Sequence, residues 1–222
     1  MSRVINFSDR KLALAIEPEP REPSPYTSRK ASCGSFVISG STELYTPPAY
    51  VELVRETLGG IDLDPASHPL PQSWIKAGTF WQESDSGHMR AWFGRVFCNP
   101  PYGKNESNGS VAAAWANKMR FEYGSGNIES GILLVNSVPG YNWYEDLWVR
   151  YPVCCVKDRI CFIKPDGTPA SRAVRGQTFV YFGRNPRKFK EVFSRIGRVI
   201  PPLSHVDVTN PFAPKRKGRG SI

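Results

Sequence analysis

No run of apolar residues approaches the ~20 that a membrane-spanning helix requires. The first ten residues also lack the apolar stretch of a secretory leader. Cysteine is scarce and unpatterned. The five present (Cys33, Cys98, Cys154, Cys155 and Cys161) are odd in number and form no C-x-x-C pair. A disulfide framework and a zinc site are therefore not expected. Four of them, all but Cys33, lie in apolar, strand-like runs and read as buried thiols of a reducing cytoplasm. His68, His88 and His205 stand alone, without metal-ligand spacing, so no metal is expected. There is no internal repeat. No G-x-G loop follows the first strand that carries a motif, which argues against a dinucleotide fold or a P-loop.

What is present is a chain of 222 residues, enough for one domain with a real core. Hydrophobic content of 40% and charged content of 22% are ordinary for a globular protein. The net charge of +9 is not ordinary, and suggests a polyanionic partner such as nucleic acid. Residues 1–40 read as a Pro-rich arm, with prolines at 18, 20, 23 and 25. Residues 41–203 read as the folded domain, and 204–222 as a basic tail carrying Lys215, Arg216 and Lys217.

Within the domain, Thr46-Pro47-Pro48 reads as a helix start with Thr46 as N-cap, and Gly59-Gly60 as its stop. Ile61–Leu63 and Phe80-Trp81 read as short strands, with a loop or broken helix between them over 68–79. Residues 95–98 form another short strand. Val111–Tyr123 is the best helix, and Gly131–Asn136 is a strand buried on both faces of a parallel sheet. Trp143–Val149 and Phe189–Ile196 are helical. Val153–Ile163, Thr178–Phe182 and Val199-Ile200 are strands. Alternating strands and helices predict an α/β fold, its sheet mostly parallel with an antiparallel hairpin at one edge.

Asn99-Pro100-Pro101-Tyr102 follows the strand Arg95–Cys98 directly. A strand tip made of an amide, two prolines and an aromatic builds a core poorly, but it can hold a flat heterocycle that bears an exocyclic amine. The lone pair of such an amine is delocalised into the ring. Two acceptors placed at its protons draw it towards a tetrahedral, nucleophilic geometry. The Asn99 side-chain oxygen and the Pro100 carbonyl are candidate acceptors, the second aimed by the locked φ angles of Pro100 and Pro101. Tyr102 can stack on the ring, which is worth about 1–3 kcal/mol for a base. A proline turn with a packed tyrosine would carry the same four residues. Taken alone they do not separate adenine, cytosine, guanine in RNA, or a glutamine amide as the target.

A second strand tip, Asp62-Leu63-Asp64-Pro65-Ala66-Ser67, carries two carboxylates, either of which could face a ligand at the tip. In open α/β sheets ligands bind beyond such tips. A carboxylate there can accept from ribose hydroxyls or sit near cationic groups.

Together these segments resemble the phage-type Dam family of DNA adenine-N6 methyltransferases. The resemblance rests on Tyr45-Thr46-Pro47-Pro48, Gly60–Ser67 and Trp92–Gly103. It continues in Ile132–Asn136, Asp158–Phe162 and Phe179–Gly183, in matching order over roughly residues 44–200. It implies a class I methyltransferase (Rossmann-like) fold with helices on both faces of the sheet, and S-adenosylmethionine as donor. By that resemblance Asn99, Pro100, Pro101 and Tyr102 form the target-base site. Tyr45, Thr46 and Pro47 match a cofactor-contacting motif, and Asp62, Asp64, Pro65 and Ala66 match the first-strand cofactor motif in degenerate form. Glu83 is the candidate for the ribose, and Asp85 with Ser86-Gly87 for the adenine side. The cytoplasm of a bacterial or phage-infected cell is the implied location.

Reaching a base inside double-stranded DNA requires extruding it. Lys104 and Asn105, after the Asn99 tip, are candidates to close over it. Arg172, Arg175 and Gln177, in a Gly/Pro-flanked loop, are candidates for base edges or phosphates. Lys215, Arg216 and Lys217 are candidates for non-specific phosphate contacts. A DNA cytosine-N4 methyltransferase shares the amine chemistry, and a basic DNA-binding protein with a decayed methyltransferase fold would share the charge. The residues favour neither protection of a genome nor regulation.

Overall fold

The computed structural model describes residues 43–103, 110–173 and 175–203. Helix α1 (Pro48–Leu58) starts at the proline pair, but its cap is Pro47, not Thr46, and no side chain caps it. Proline suits this position because its ring presets φ and the first helical N–H groups have no partner within the helix. Gly59 ends the helix in the left-handed region, at φ 78°, and its N–H returns to the Arg55 carbonyl. The stretch read as loop or broken helix contains a helix, α2 (Pro69–Ile75). Its prolines at 69 and 71 fall in the first turn, where a missing N–H breaks no intrahelical bond. Arg55 donates to the carbonyls of Trp74 and Ile75 and so joins the end of α2 to α1.

The strands are β1 (Leu63–Asp64), β2 (Thr79–Phe80), β3 (Gly94–Cys98), β4 (Ile128–Asn136) and β5 (Val153–Val156). They continue as β6 (Cys161–Ile163), β7 (Pro169–Arg172), β8 (Gln177–Phe182) and β9 (Gly197–Ile200). The other helices are α3 (Val111–Gly124), α4 (Asn142–Arg150) and α5 (Pro186–Phe193). Among the described residues, seven strands form one sheet in the order β2–β1–β3–β4–β8–β5–β9, and β6 pairs with β7 apart from it. β2, β1, β3 and β4 are mutually parallel, β5 shares their direction, and β8 and β9 oppose it. The result is an α/β fold on a mostly parallel, mixed sheet.

Alternation along the strands divides the core in two. Phe97, Ile132, Leu134, Cys154, Phe179 and Tyr181 face α1, α2 and α5. Val96, Cys98, Leu133, Val135, Val153, Val180 and Phe182 face α3 and α4. Helices thus cover both faces, as period-two patterning of doubly buried strands requires. Burying a side chain of this size contributes about 1.5–3 kcal/mol.

Two further expectations change. The long strand read over Val153–Ile163 is broken, because the charged run Lys157-Asp158-Arg159 leaves the sheet and the chain re-forms as β6. The antiparallel part is not a hairpin of neighbouring strands. β8 inserts between β4 and β5, while β9 pairs with the outer side of β5. Among the described residues no helix is long and apolar enough to cross a membrane. The arm (1–40), Lys104, Asn105 and the tail with Lys215, Arg216 and Lys217 lie outside the described residues.

Candidate functional site

β1 and β3 run parallel with Leu63 opposite Val96, so their tips open at the same end of the sheet. A cleft of about 260 Å3 lies across those tips. It is lined by Glu43–Thr46 ahead of α1, Asp64–His68 at the β1 tip, Gln82, Glu83 and Ser86–His88 beyond β2, Asn99–Tyr102 at the β3 tip, and Trp115 of α3. The two constellations read in the sequence therefore share one cavity.

At the β3 tip, the Asn99 Nδ2 donates to the Leu44 carbonyl at 2.9 Å. A carbonyl can only accept, so this bond fixes which end of the amide faces where. Asn99 Oδ1 is left as the acceptor on the other side, where the Tyr102 hydroxyl reaches it at 3.4 Å and the Leu134 carbonyl at the same distance. Burial pushes the Tyr102 phenol well above its ordinary value, so it stays protonated and acts as a donor. Pro100 is buried and Pro101 exposed.

The Leu44 segment is held in turn. Tyr45 exchanges backbone hydrogen bonds with Ile163 of β6, at 2.8 and 2.9 Å, and its ring stacks on His68 at 5.9 Å. Its hydroxyl donates to Glu43, and burial, assisted by that carboxylate, pushes the phenol up to about 12. Thr46 is 1% exposed; its carbonyl accepts from the Trp74 indole, but its Oγ1 has no partner among the described residues. Pro47 caps α1 and does not line the cleft.

At the β1 tip, Asp64 is 2% exposed and lines the cleft. Burial pushes its carboxyl up to about 7. Donors from Ser67, the Ala66 N–H and Gln72 Nε2 pull the other way without prevailing. Gln72 also donates to Ser67 and so fixes the turn. Pro65 and Ala66 line the same turn. Asp62 points away from the cleft. Its two oxygens take the Arg95 guanidinium at 2.8 Å each, and Oδ2 also accepts the Arg95 N–H. That guanidinium holds the Asp62 carboxyl below the usual carboxylate range. Of the two carboxylates, only Asp64 lines the cleft.

Beyond β2, Glu83 lines the cleft and is exposed. Asp85 does not line it. Its carboxylate accepts from the Gln82 N–H, which stabilises the Glu83–Asp85 turn, and pairs with Arg90. Of the residues expected on the adenine side, Ser86 and Gly87 line the cleft, as does His88, and Asp85 does not. Gly87 is required at its position, because a Cβ there would overlap the Pro65 carbonyl.

Of the residues expected to meet DNA, Arg172, Arg175 and Gln177 lie among the described residues. Arg172 ends β7, and Arg175 is exposed between β7 and β8. Gln177 is 2% exposed and its Nε2 donates to Asn136 across β4 and β8 at 2.7 Å. It is part of the sheet, which removes it from the base-reading candidates in this conformation. Among the described residues no cluster of three or more His, Cys, Asp or Glu could hold a metal ion.

Sequence reasoning missed Gln72, His88 and Trp115. Gln72 was hidden by the assignment of 68–79 as irregular. Trp115 was legible only as a core position of α3. No sequence signal marks His88, which reaches the cleft because Gly87 packs against Pro65. The chain matches no family model and no curated protein.

Proposed function

We propose that this chain is a DNA methyltransferase that transfers a methyl group from S-adenosylmethionine to the exocyclic N6 amine of adenine, on a class I methyltransferase fold. The observation that carries the reading is the orientation of Asn99. Its Nδ2 is committed to the Leu44 carbonyl, which leaves Oδ1, in a residue that lines the cleft, as the acceptor. An exocyclic amine is the group that such an acceptor, set beside a rigid Pro-Pro carbonyl, would bind.

The donor's fit is supported by two polar groups that have no partner among the described residues. Thr46 Oγ1 and His88 Nε2 are buried polar atoms without hydrogen bonds there, both in residues lining the cavity. Buried polar atoms are rarely left unpaired in folded proteins, so a polar ligand is a natural completion. Asp64, Thr46, Glu83 and the Pro65-Ala66 turn would hold S-adenosylmethionine. When bound, it supplies an electrophilic methyl group on a sulfonium.

The remaining chemistry belongs to the chain. Asn99 Oδ1 and the Pro100 carbonyl accept the two amine protons and localise the nitrogen lone pair. Tyr102 stacks on the base. Forming the new N–C bond would break the donor's S–methyl bond, release a thioether and leave positive charge on the nitrogen, which the two acceptors stabilise. The surplus proton is then lost to water, because a neutral amide oxygen is too weak a base to keep it. Ionised Asp64 accepts from the donor's polar groups. Double-stranded DNA as partner is supported by the net charge of +9 and by exposed Arg175. The location that follows is the cytoplasm of a bacterial or phage-infected cell.

The test is expression in a methylation-deficient host, followed by digestion of its DNA to nucleosides and sequencing for modified bases. N6-methyladenine at a defined site is expected. N4-methylcytosine would move the target to the alternative base. Unmodified DNA, with no binding of S-adenosylmethionine by calorimetry, would return the chain to a non-enzymatic DNA-binding role.

A further inference from the structure

His88 plays no part in the chemistry above, yet the fold holds it firmly in the cleft. Its turn (Gly87–Met89) is pinned twice. The Gly87 backbone lies so close to the Pro65 carbonyl that no side chain fits there, and the Trp92 indole donates to the Gly87 carbonyl at 2.9 Å. The imidazole stands edge-on to Trp115, with ring centroids 5.4 Å apart. His88 Nε2 is buried and has no partner among the described residues. His88 lines the cleft with Asp64 and Glu83, and its turn packs on Pro65.

We infer that His88 is a specificity-determining residue for the adenine ring of the methyl donor, its Nε2 accepting a hydrogen bond from the ring's exocyclic amine. The inference rests on the proposed use of S-adenosylmethionine and extends it to a residue that no motif marks. A flat ring lying near the Trp115 face would bring its polar edge to the imidazole. The 6-amino group is the donor on that edge, and a neutral imidazole offers one nitrogen as acceptor. Glu83 sits at the β2 tip, between Asp64 and His88 in chain order, which suits a ribose between the charged end of the ligand and its base.

The test is a double-mutant cycle in binding, read by calorimetry without any turnover. The protein is wild type, His88→Phe or His88→Gln. The ligands are S-adenosylhomocysteine and its analogue lacking the 6-amino group. His88→Phe keeps an aromatic ring against Trp115 and removes the nitrogen. It should weaken S-adenosylhomocysteine about tenfold and leave the deamino analogue within about twofold. His88→Gln, which restores an acceptor at the position of Nε2, should recover most of the loss. Circular dichroism and thermal melts of both variants report whether they fold. Equal weakening of both ligands by His88→Phe would make His88 a packing residue and overturn the inference. So would no weakening of either. A wild-type protein that binds neither ligand would overturn the cofactor reading itself, and the inference with it.

Discussion

Asp62 and Asp64 are two residues apart on one short stretch of strand, yet they do opposite work. Asp62 meets Arg95 in a bidentate pair whose side chains are about a third exposed, at 29% and 35%. Asp64 lines the cleft with neutral donors for company and no cation among the described residues. The first carboxyl is held low and the second is pushed up to about 7. A strand sends successive even positions to the same side of its backbone only while it remains regular. β1 contains only Leu63 and Asp64, so Asp62 lies outside its regular part, on the segment that pairs with Arg95. The difference teaches that a carboxylate with its own cation is satisfied, whereas a buried one without a cation is available to a ligand.

The largest effect tests the cleft as a whole. Asn99→Ala should lower methyl transfer about 100-fold or more, while donor affinity stays within about twofold. Single-turnover methylation and calorimetry read the two quantities separately. Wild-type transfer in this variant would remove Asn99 from the chemistry.

Asp64→Asn addresses the comparison directly. It should weaken S-adenosylhomocysteine by tenfold or more at pH 8, where Asp62→Asn changes binding less than about twofold. It should also raise the melting temperature of the free protein at that pH. The sign follows from burial. A carboxyl raised to about 7 in the fold from 3.8 binds its proton in the native state but not in the unfolded state. Its contribution to stability is therefore full below pH ~4 and is lost as the pH rises through about 7. Removing the charge removes that loss. A lower melting temperature for Asp64→Asn at pH 8 would contradict the assignment of burial as the dominant cause.

The same linkage gives wild-type donor binding a pH dependence. If Asp64 must be ionised to hold its ligand, affinity should rise by up to about tenfold per unit between pH 5 and 7 and level off above. Asp64→Asn should flatten that profile. A profile unchanged by the substitution would assign the titration to another group.

Asp62 should show the reverse. Its carboxyl is lowered by Arg95, so its stabilising contribution is present above pH ~4 and fades in acid. Partial exposure screens the pair, and Arg95→Ala should cost about 1 kcal/mol in urea unfolding at pH 7. A larger loss would mean that Arg95 also supports the packing of Gly59 and Gly60, whose backbones lie beside its guanidinium.

The smallest effects concern DNA. Removing the chain from Lys215 onward should weaken binding a few-fold on all sequences and make its salt dependence shallower. Arg175→Ala should alter which sites are methylated. If the truncation shifts the methylated sequence instead, recognition lies in the tail.

Much of this architecture was legible. β4 and β8 declared themselves through unbroken apolar runs, and α3 through its alanines and its buried Trp115 and Met119. The Asn99 and Asp64 tips were legible because polar residues directly after apolar strands have little structural reason to be there. α2 was not, because two prolines within three residues look like a break unless their place in the first turn is known. Neither the choice between Asp62 and Asp64 nor the place of His88 could be read. Both depend on contacts across 20 residues or more, Arg95 with Asp62 and Gly87 with Pro65. The position of β8 was invisible for the same reason, since pairing order is not written in local pattern.

That position bears on how the chain is made. β8 is complete only at Phe182, yet it fills the gap between β4 and β5, which are finished at Asn136 and Val156. During synthesis those two strands must wait with facing edges unpaired until a late segment threads between them. Non-local pairing of this kind slows folding and leaves strand edges open to other chains. A product cut short between β5 and β8 should therefore aggregate rather than form a smaller functional unit.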